Sequence, residues 1–132
     1  MSHPRPTVTG SCLCGAVQFE VAGPLRDVVL CHCAMCRKTH GHIGAYTNAP
    51  KDSRHLSKSR GLKWFSASDF ARRGFCGECG TSLFRERLAC DLISIAAGAL
   101  DPPTGLVTTL QIFVDSAGDY YSIDPRIAQR KS

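Results

Sequence analysis

Residues 10–21 read Gly-Ser-Cys-Leu-Cys-Gly-Ala-Val-Gln-Phe-Glu-Val, and two patterns overlap in them. Val17, Phe19 and Val21 alternate with Gln18 and Glu20, the period of a strand with one buried face. Just before them, Cys12 and Cys14 stand two apart with Gly15 behind. A tetrahedral Zn²⁺ site takes four ligands, and two cysteines in a tight turn supply half of them. Glycine after the pair lets the backbone turn beneath a metal with positive φ. The stretch predicts a β-rich fold whose strands are tied together by metal.

Outward from it, the chain is divided by glycines and prolines into short pieces, the punctuation of an all-β domain. Strand-sized runs follow at 26–30, 42–47, 62–65, 82–87, 92–97 and 109–114. Only 34–40, 66–72 and 124–129 offer helical turns. Residues 48–60, rich in Lys, Arg, Ser and Asp, read as a long exposed loop. A length of 132 residues suits one domain, expected to span 1–132 with its core at about 7–125 between polar ends. The fold class expected is mainly β, built from short antiparallel strands. No apolar run reaches the ~18 residues of a membrane span, and Met1 to Pro6 lack the apolar centre of an export signal. A cytoplasmic protein without a membrane partner is expected.

Eight cysteines in such a chain are metal ligands or reactive thiols before they are disulfides. Seven fall in three clusters: Cys12-Leu-Cys14, Cys31-His-Cys33-Ala-Met-Cys36 and Cys76-Gly-Glu-Cys79. The first and third arms together close a four-sulfur site, structural because no coordination position stays open. The middle arm offers three sulfurs within six residues, and three protein ligands with one exchangeable position is the pattern of a catalytic zinc. A closed site completed by His32, His40, His42 or Cys90 is the competing arrangement, although His32 is expected to point away from the metal its neighbours share. Cys90, in an apolar setting, reads as a small buried hydrophobe. The net charge of +5 falls to about +2 if seven cysteines bind two Zn²⁺ as thiolates, so the apparent basicity is weak support for an acidic partner.

The ordered set Gly10-Ser-Cys-Leu-Cys-Gly15, Cys31-His-Cys-Ala-Met-Cys-Arg-Lys38 and Arg73-Gly-Phe-Cys-Gly-Glu-Cys-Gly80 resembles the glutathione-dependent formaldehyde-activating enzyme family, which includes the centromere protein V domain. Ala97-Gly-Ala-Leu-Asp-Pro102 and Leu110 to Asp115 are similar to its later segments. The resemblance implies a β-tent fold and two zinc ions per chain. By position, Cys12, Cys14, Cys76 and Cys79 would hold the structural one. Cys31, Cys33 and Cys36 would hold the catalytic-type one. The activity implied is condensation of glutathione with formaldehyde, or its reverse. Tyr120-Tyr121 stands where the family leads one to expect tryptophan, which bears on the pocket wall and so on the substrate.

Two functions follow as expectations. The first is a zinc-dependent carbon–sulfur lyase acting on a small thiol adduct, with the substrate sulfur held as thiolate at Cys31, Cys33 and Cys36. Arg37, Lys38, Arg72 and Arg73 lie near the clusters in sequence and are candidates for the carboxylates of glutathione. His32, His40 or His42 would shuttle the proton. The second is a non-catalytic zinc module for protein or nucleic acid, carried by Lys51, Arg54, His55, Lys58, Arg60 and Lys63 beside Trp64 and Phe65. The interrupting Asp52 and the low corrected charge make a nucleic-acid partner the weaker expectation.

Overall fold

A computed structural model of the chain describes residues 7–132; the polar N-terminal residues 1–6 lie outside them. The strands are β1 (Val8–Ser11), β2 (Gln18–Val21), β3 (Val28–Cys31), β4 (Gly44–Pro50), β5 (Arg54–Lys58), β6 (Leu62–Ser66), β7 (Ala71–Cys76), β8 (Ser82–Arg87), β9 (Leu92–Ala96), β10 (Thr108–Ile112) and β11 (Ala128–Gln129). One α-helix, α1 (Ala34–His40), follows β3, as the sequence suggests. No helix among the described residues is long and apolar enough to cross a membrane.

The strands form two sheets. β1, β2 and β5 make a three-stranded antiparallel one, and the other eight run in the order β11-β10-β3-β4-β9-β8-β7-β6. The apolar alternation of β2 puts Phe19 and Val21 into the space between the sheets, where Phe19 meets Phe84 of β8 edge-on at 5.0 Å. Val17, Leu83, Ile93 and Ile95 fill the rest of that core. The expected purely antiparallel pattern holds except at β10, which pairs in parallel with β3 and β11. β10 returns to β3 only after some 80 residues, so no hairpin fixes its direction.

Three local expectations are corrected. Residues 66–72 form a tight turn into β7, not a helical turn. There the Ser68 hydroxyl accepts from the Phe70 N–H at 3.2 Å and the Ser68 N–H donates to the Ala71 carbonyl. Residues 48–60 are not one loop: β4 runs through Pro50 and β5 is a strand whose polar face is solvated, so apolar alternation does not mark it. Residues 124–129 make one tight turn, closed by the Ile127 N–H on the Asp124 carbonyl and by the Arg126 N–H on the Asp124 carboxylate at 2.9 Å, and the chain then extends into β11 without continuing as a helix.

The fold brings the three cysteine arms to functional positions. The β1–β2 connection carries Cys12 and Cys14, Cys76 ends β7 with Cys79 in the turn that follows, and Cys31 ends β3 just before α1.

Candidate metal and active site

At the first cluster the Sγ atoms of Cys12, Cys14, Cys76 and Cys79 all lie within 4.8 Å of one another. Cys14 approaches Cys12 at 3.7 Å and Cys76 at 3.8 Å. A tetrahedron with metal–sulfur bonds of ~2.3 Å has edges of ~3.8 Å, so four sulfurs this close together fit one divalent ion. Each arm turns at a glycine of positive φ, +82° at Gly15 and +81° at Gly80. Two features escape a search for ligand spacing. A Cβ at Gly61 would sit 2.8 Å from Cys76 Sγ, so the β5–β6 turn must be glycine to clear the sulfur. The Thr81 hydroxyl accepts from the Leu13 N–H at 3.0 Å and lies 3.2 Å from Cys79 Sγ, stitching one arm to the other. The hydrogen bond from Thr81, with neighbouring backbone donors, brings the Cys79 thiol down to about 5.

The second cluster gathers the Sγ atoms of Cys31, Cys33 and Cys36, again within 4.8 Å of one another. Cys33 is the N-cap of α1, its sulfur accepting from the Cys36 N–H at 3.3 Å. The helix ends after seven residues at Gly41, where φ is +76°. β4 begins against the sulfurs: a Cβ at Gly44 would come within 3.1–3.2 Å of Cys36 and His40. Cys31 and Cys36 are buried and Cys33 is half-buried. No histidine or carboxylate joins either cluster among the described residues.

Arg73 is the cation that reaches this cluster. It is 7% exposed, with Nη2 at 3.8 Å from Cys36 Sγ and Nη1 donating to the Tyr46 hydroxyl at 3.1 Å. β9 and β8 separate Tyr46 on β4 from Arg73 on β7, so the large sheet curls across this face to let the two meet. His40 Nε2 hydrogen-bonds the same hydroxyl. Hydrogen bonds from Cys31 and Cys33, with help from the Arg73 guanidinium and against burial, take the Cys36 thiol down to about 5. Burial pushes the Tyr46 hydroxyl up to about 12 and, together with the charge of Arg73, lowers His40.

The other residues singled out from sequence lie elsewhere. Arg37 donates from Nη1 to the Ser116 carbonyl at 3.1 Å, and Lys38 is exposed on α1. Arg72 stacks over Trp64 at 3.9 Å and reaches Glu86 on the opposite side of β7 from Arg73. Cys90 sits half-buried in the β8–β9 turn, outside both clusters, which corrects its expected full burial. His42 Nδ1 hydrogen-bonds the Tyr120 hydroxyl at 2.9 Å.

His32, between two of the cysteines, is 1% exposed and points away from them into a closed network. Gln111 Nε2 donates to the carbonyls of Asp124 and Ile127, which leaves its Oε1 as the acceptor for His32 Nε2 at 2.9 Å. His32 Nδ1 meets the Tyr121 hydroxyl at 2.7 Å, and the two rings stack. Both ring nitrogens are taken, so the ring anchors the Cys31–Cys33 backbone to the C-terminal segment. Tyr121→Phe leaves a buried ring nitrogen without its partner and is expected to cost ~1–2 kcal/mol. A thermal melt a few degrees lower than that of the parent chain checks this, and an unchanged melt would refute it.

Comparison with known proteins gives this arrangement a context. A relative in Schizosaccharomyces pombe, described as an uncharacterized lyase, is 31% identical over 80 residues, 60% of this chain and 57% of the relative. The chain thus spans little more than half the length of that protein. A crystal structure of a Rhodobacter sphaeroides protein matches with a TM-score of 0.60 at 25% identity, over 76% of this chain and 97% of that one. The profile of the family described as glutathione-dependent formaldehyde-activating enzyme matches residues 7–116, which takes in all seven clustered cysteines, and the chain belongs to that family.

Proposed function

We propose that the chain is a zinc-dependent carbon–sulfur lyase of the formaldehyde-activating type, which joins a small thiol to an aldehyde or splits the adduct. A lyase-type activity agrees with the family and with the name of the S. pombe relative. The observation that carries the finer reading is the unequal ligand count: four sulfurs at one cluster and three, with a buried guanidinium beside them, at the other. Cys12, Cys14, Cys76 and Cys79 would hold a structural Zn²⁺. Cys31, Cys33 and Cys36 would hold the second, which supplies a Lewis acid with one position free for a substrate sulfur. Three thiolates and a divalent ion sum to one negative charge, and Arg73 is the counter-charge in a site that burial makes expensive for an unpaired ion.

In the synthesis direction the substrate sulfur gives up its proton, its electron pair forms the C–S bond, and the former carbonyl oxygen takes up a proton. Cleavage reverses each transfer. Tyr46 and Arg73, in contact with each other beside Cys36, would hydrogen-bond that oxygen as it gains charge. Of the expected glutathione contacts, only Arg73 stands at the cluster. The binding-module reading draws less support, because its basic stretch is divided: Lys51 pairs with Glu86, Arg60 with Glu78, and Arg54 lies over Phe84.

The test is metal analysis followed by exchange spectroscopy. Two zinc ions per chain and thiol–aldehyde exchange faster than the uncatalysed rate are expected, with glutathione, cysteine and 2-mercaptoethanol tried in turn. Two zinc ions with no acceleration for any thiol, together with salt-dependent retention on heparin, would favour the binding module.

A further inference from the structure

Beside Tyr46 and Arg73 the large sheet opens into a cleft of about 290 Å³. Its walls are apolar. Phe65 pairs with Arg73 across β6 and β7, Phe75 follows two residues after Arg73, and both line the cleft from the same face. Its polar side chains are few: Tyr46, Arg73, Ser82 and Thr39, whose hydroxyl donates to the Met35 carbonyl. Arg73 is the one charged residue among the described residues lining it, and its buried Nε has no hydrogen-bond partner. Nη1 and Nη2 are already held by Tyr46 and Cys36.

That chemistry selects a ligand class. The volume of about 290 Å³ falls just below the ~300–1,000 Å³ usual for small-molecule sites. Glutathione carries two carboxylates and an ammonium group, and this cleft offers one cation, no carboxylate and a phenylalanine-rich wall of Phe65, Phe75 and Phe84. Formaldehyde has no hydrocarbon to bury and would leave those rings wet. We propose that the cleft seats the carbonyl partner of the reaction, and that this partner is a compact aromatic or branched aliphatic aldehyde. Its oxygen lies toward Tyr46 and Arg73 and its hydrocarbon against Phe65 and Phe75. The inference rests on the lyase reading for its chemistry but is tested by binding as well.

Benzoate is the probe, since it has the shape of benzaldehyde, carries the oxygen and does not react with thiols. Calorimetric titration of the zinc-loaded chain is expected to give saturable benzoate binding. S-Methylglutathione, titrated in the same way, is expected to give none. Phe65 is 63% exposed, so Phe65→Ser keeps the fold while removing a wall. Benzoate affinity should fall at least tenfold in that variant. The ratio of kcat/KM for benzaldehyde over formaldehyde, measured with one thiol, should fall by a similar factor. Absence of saturable benzoate binding, undiminished affinity in Phe65→Ser, or displacement of benzoate by S-methylglutathione each overturns the proposal. Formaldehyde turnover without benzoate binding overturns it while leaving the lyase reading in place. Benzoate binding lost in Phe65→Ser, with neither aldehyde reacting, supports the ligand class and overturns the lyase reading.

Discussion

Cys79→Ser is expected to abolish the cooperative melt of the intact chain or lower stability by at least ~4–5 kcal/mol, the range reserved for loss of a metal or a comparable staple. The substitution removes one corner of the four-sulfur cluster, and the other three thiolates then repel one another around a weakly held ion. The cluster joins the β1–β2 turn to the β7–β8 turn, so the loop it closes runs from Cys12 to Cys79. Releasing so long a loop returns chain entropy to the unfolded state. The local supports are small: backbone bonds such as Gly80 N–H to the Cys76 carbonyl at 2.7 Å, and the Thr81 hydroxyl. A strong chelator should act in the same direction on the parent chain, because metal affinity of a site absent in the unfolded state is folding free energy. Melting curves with and without chelator, beside zinc stoichiometry, check both. Full stability of Cys79→Ser would mean that the cluster is no staple.

Much of the site was legible because metal ligation imposes short spacings. Cys-x-Cys, Cys-x-Cys-x-x-Cys and Cys-x-x-Cys each lie within one turn, and the glycines behind two of them carry the positive φ they suggest. Strands with an apolar face, such as β2 and β9, were legible for the same reason of local period. What stayed hidden depends on partners distant in sequence. β7 contains Arg72 and Arg73 and is not among the strand-sized runs of the sequence. Trp64 and Glu86 take up Arg72, while Tyr46 and Cys36 take up Arg73. Tyr46 itself lies in a run recognised only as a strand, and nothing local marks its hydroxyl as the meeting point of His40 and Arg73. Gln111 and Tyr121 are likewise 79 and 89 residues from the histidine they fix. Proximity in sequence does not give contact either: Arg37 and Lys38 directly follow Cys36, yet Arg37 bonds the Ser116 carbonyl and Lys38 is exposed on α1.

The contrasting result is expected at Cys36. Cys36→Ser should leave the chain folded, remove the second metal and reduce thiol–aldehyde exchange about 10³-fold or to background. That factor corresponds to ~4 kcal/mol of lost transition-state stabilisation, the scale of a Lewis acid at a reacting centre. Folding survives because Cys31, Cys33 and Cys36 close only a few residues, and other contacts already shape that turn. The N–H of residue 36 donates to Cys33 Sγ whatever its side chain, and Gly41 ends the helix independently. The local cost is real, since Arg73 loses the sulfur facing its Nη2 and a buried guanidinium is left one partner short, for ~1–3 kcal/mol. Cys90→Ser, outside both clusters, should change neither zinc content nor exchange rate. Zinc per chain, melting curves and exchange rates on Cys36→Ser and Cys90→Ser, set beside Cys79→Ser, decide the matter. If Cys36→Ser unfolds the protein as badly as Cys79→Ser, the three-sulfur cluster is a second staple. If Cys90→Ser loses a metal, the grouping of the cysteines is wrong. Four sulfurs from turns far apart in sequence would resist unfolding, whereas three from one turn would leave a position open, and the two variants separate those roles.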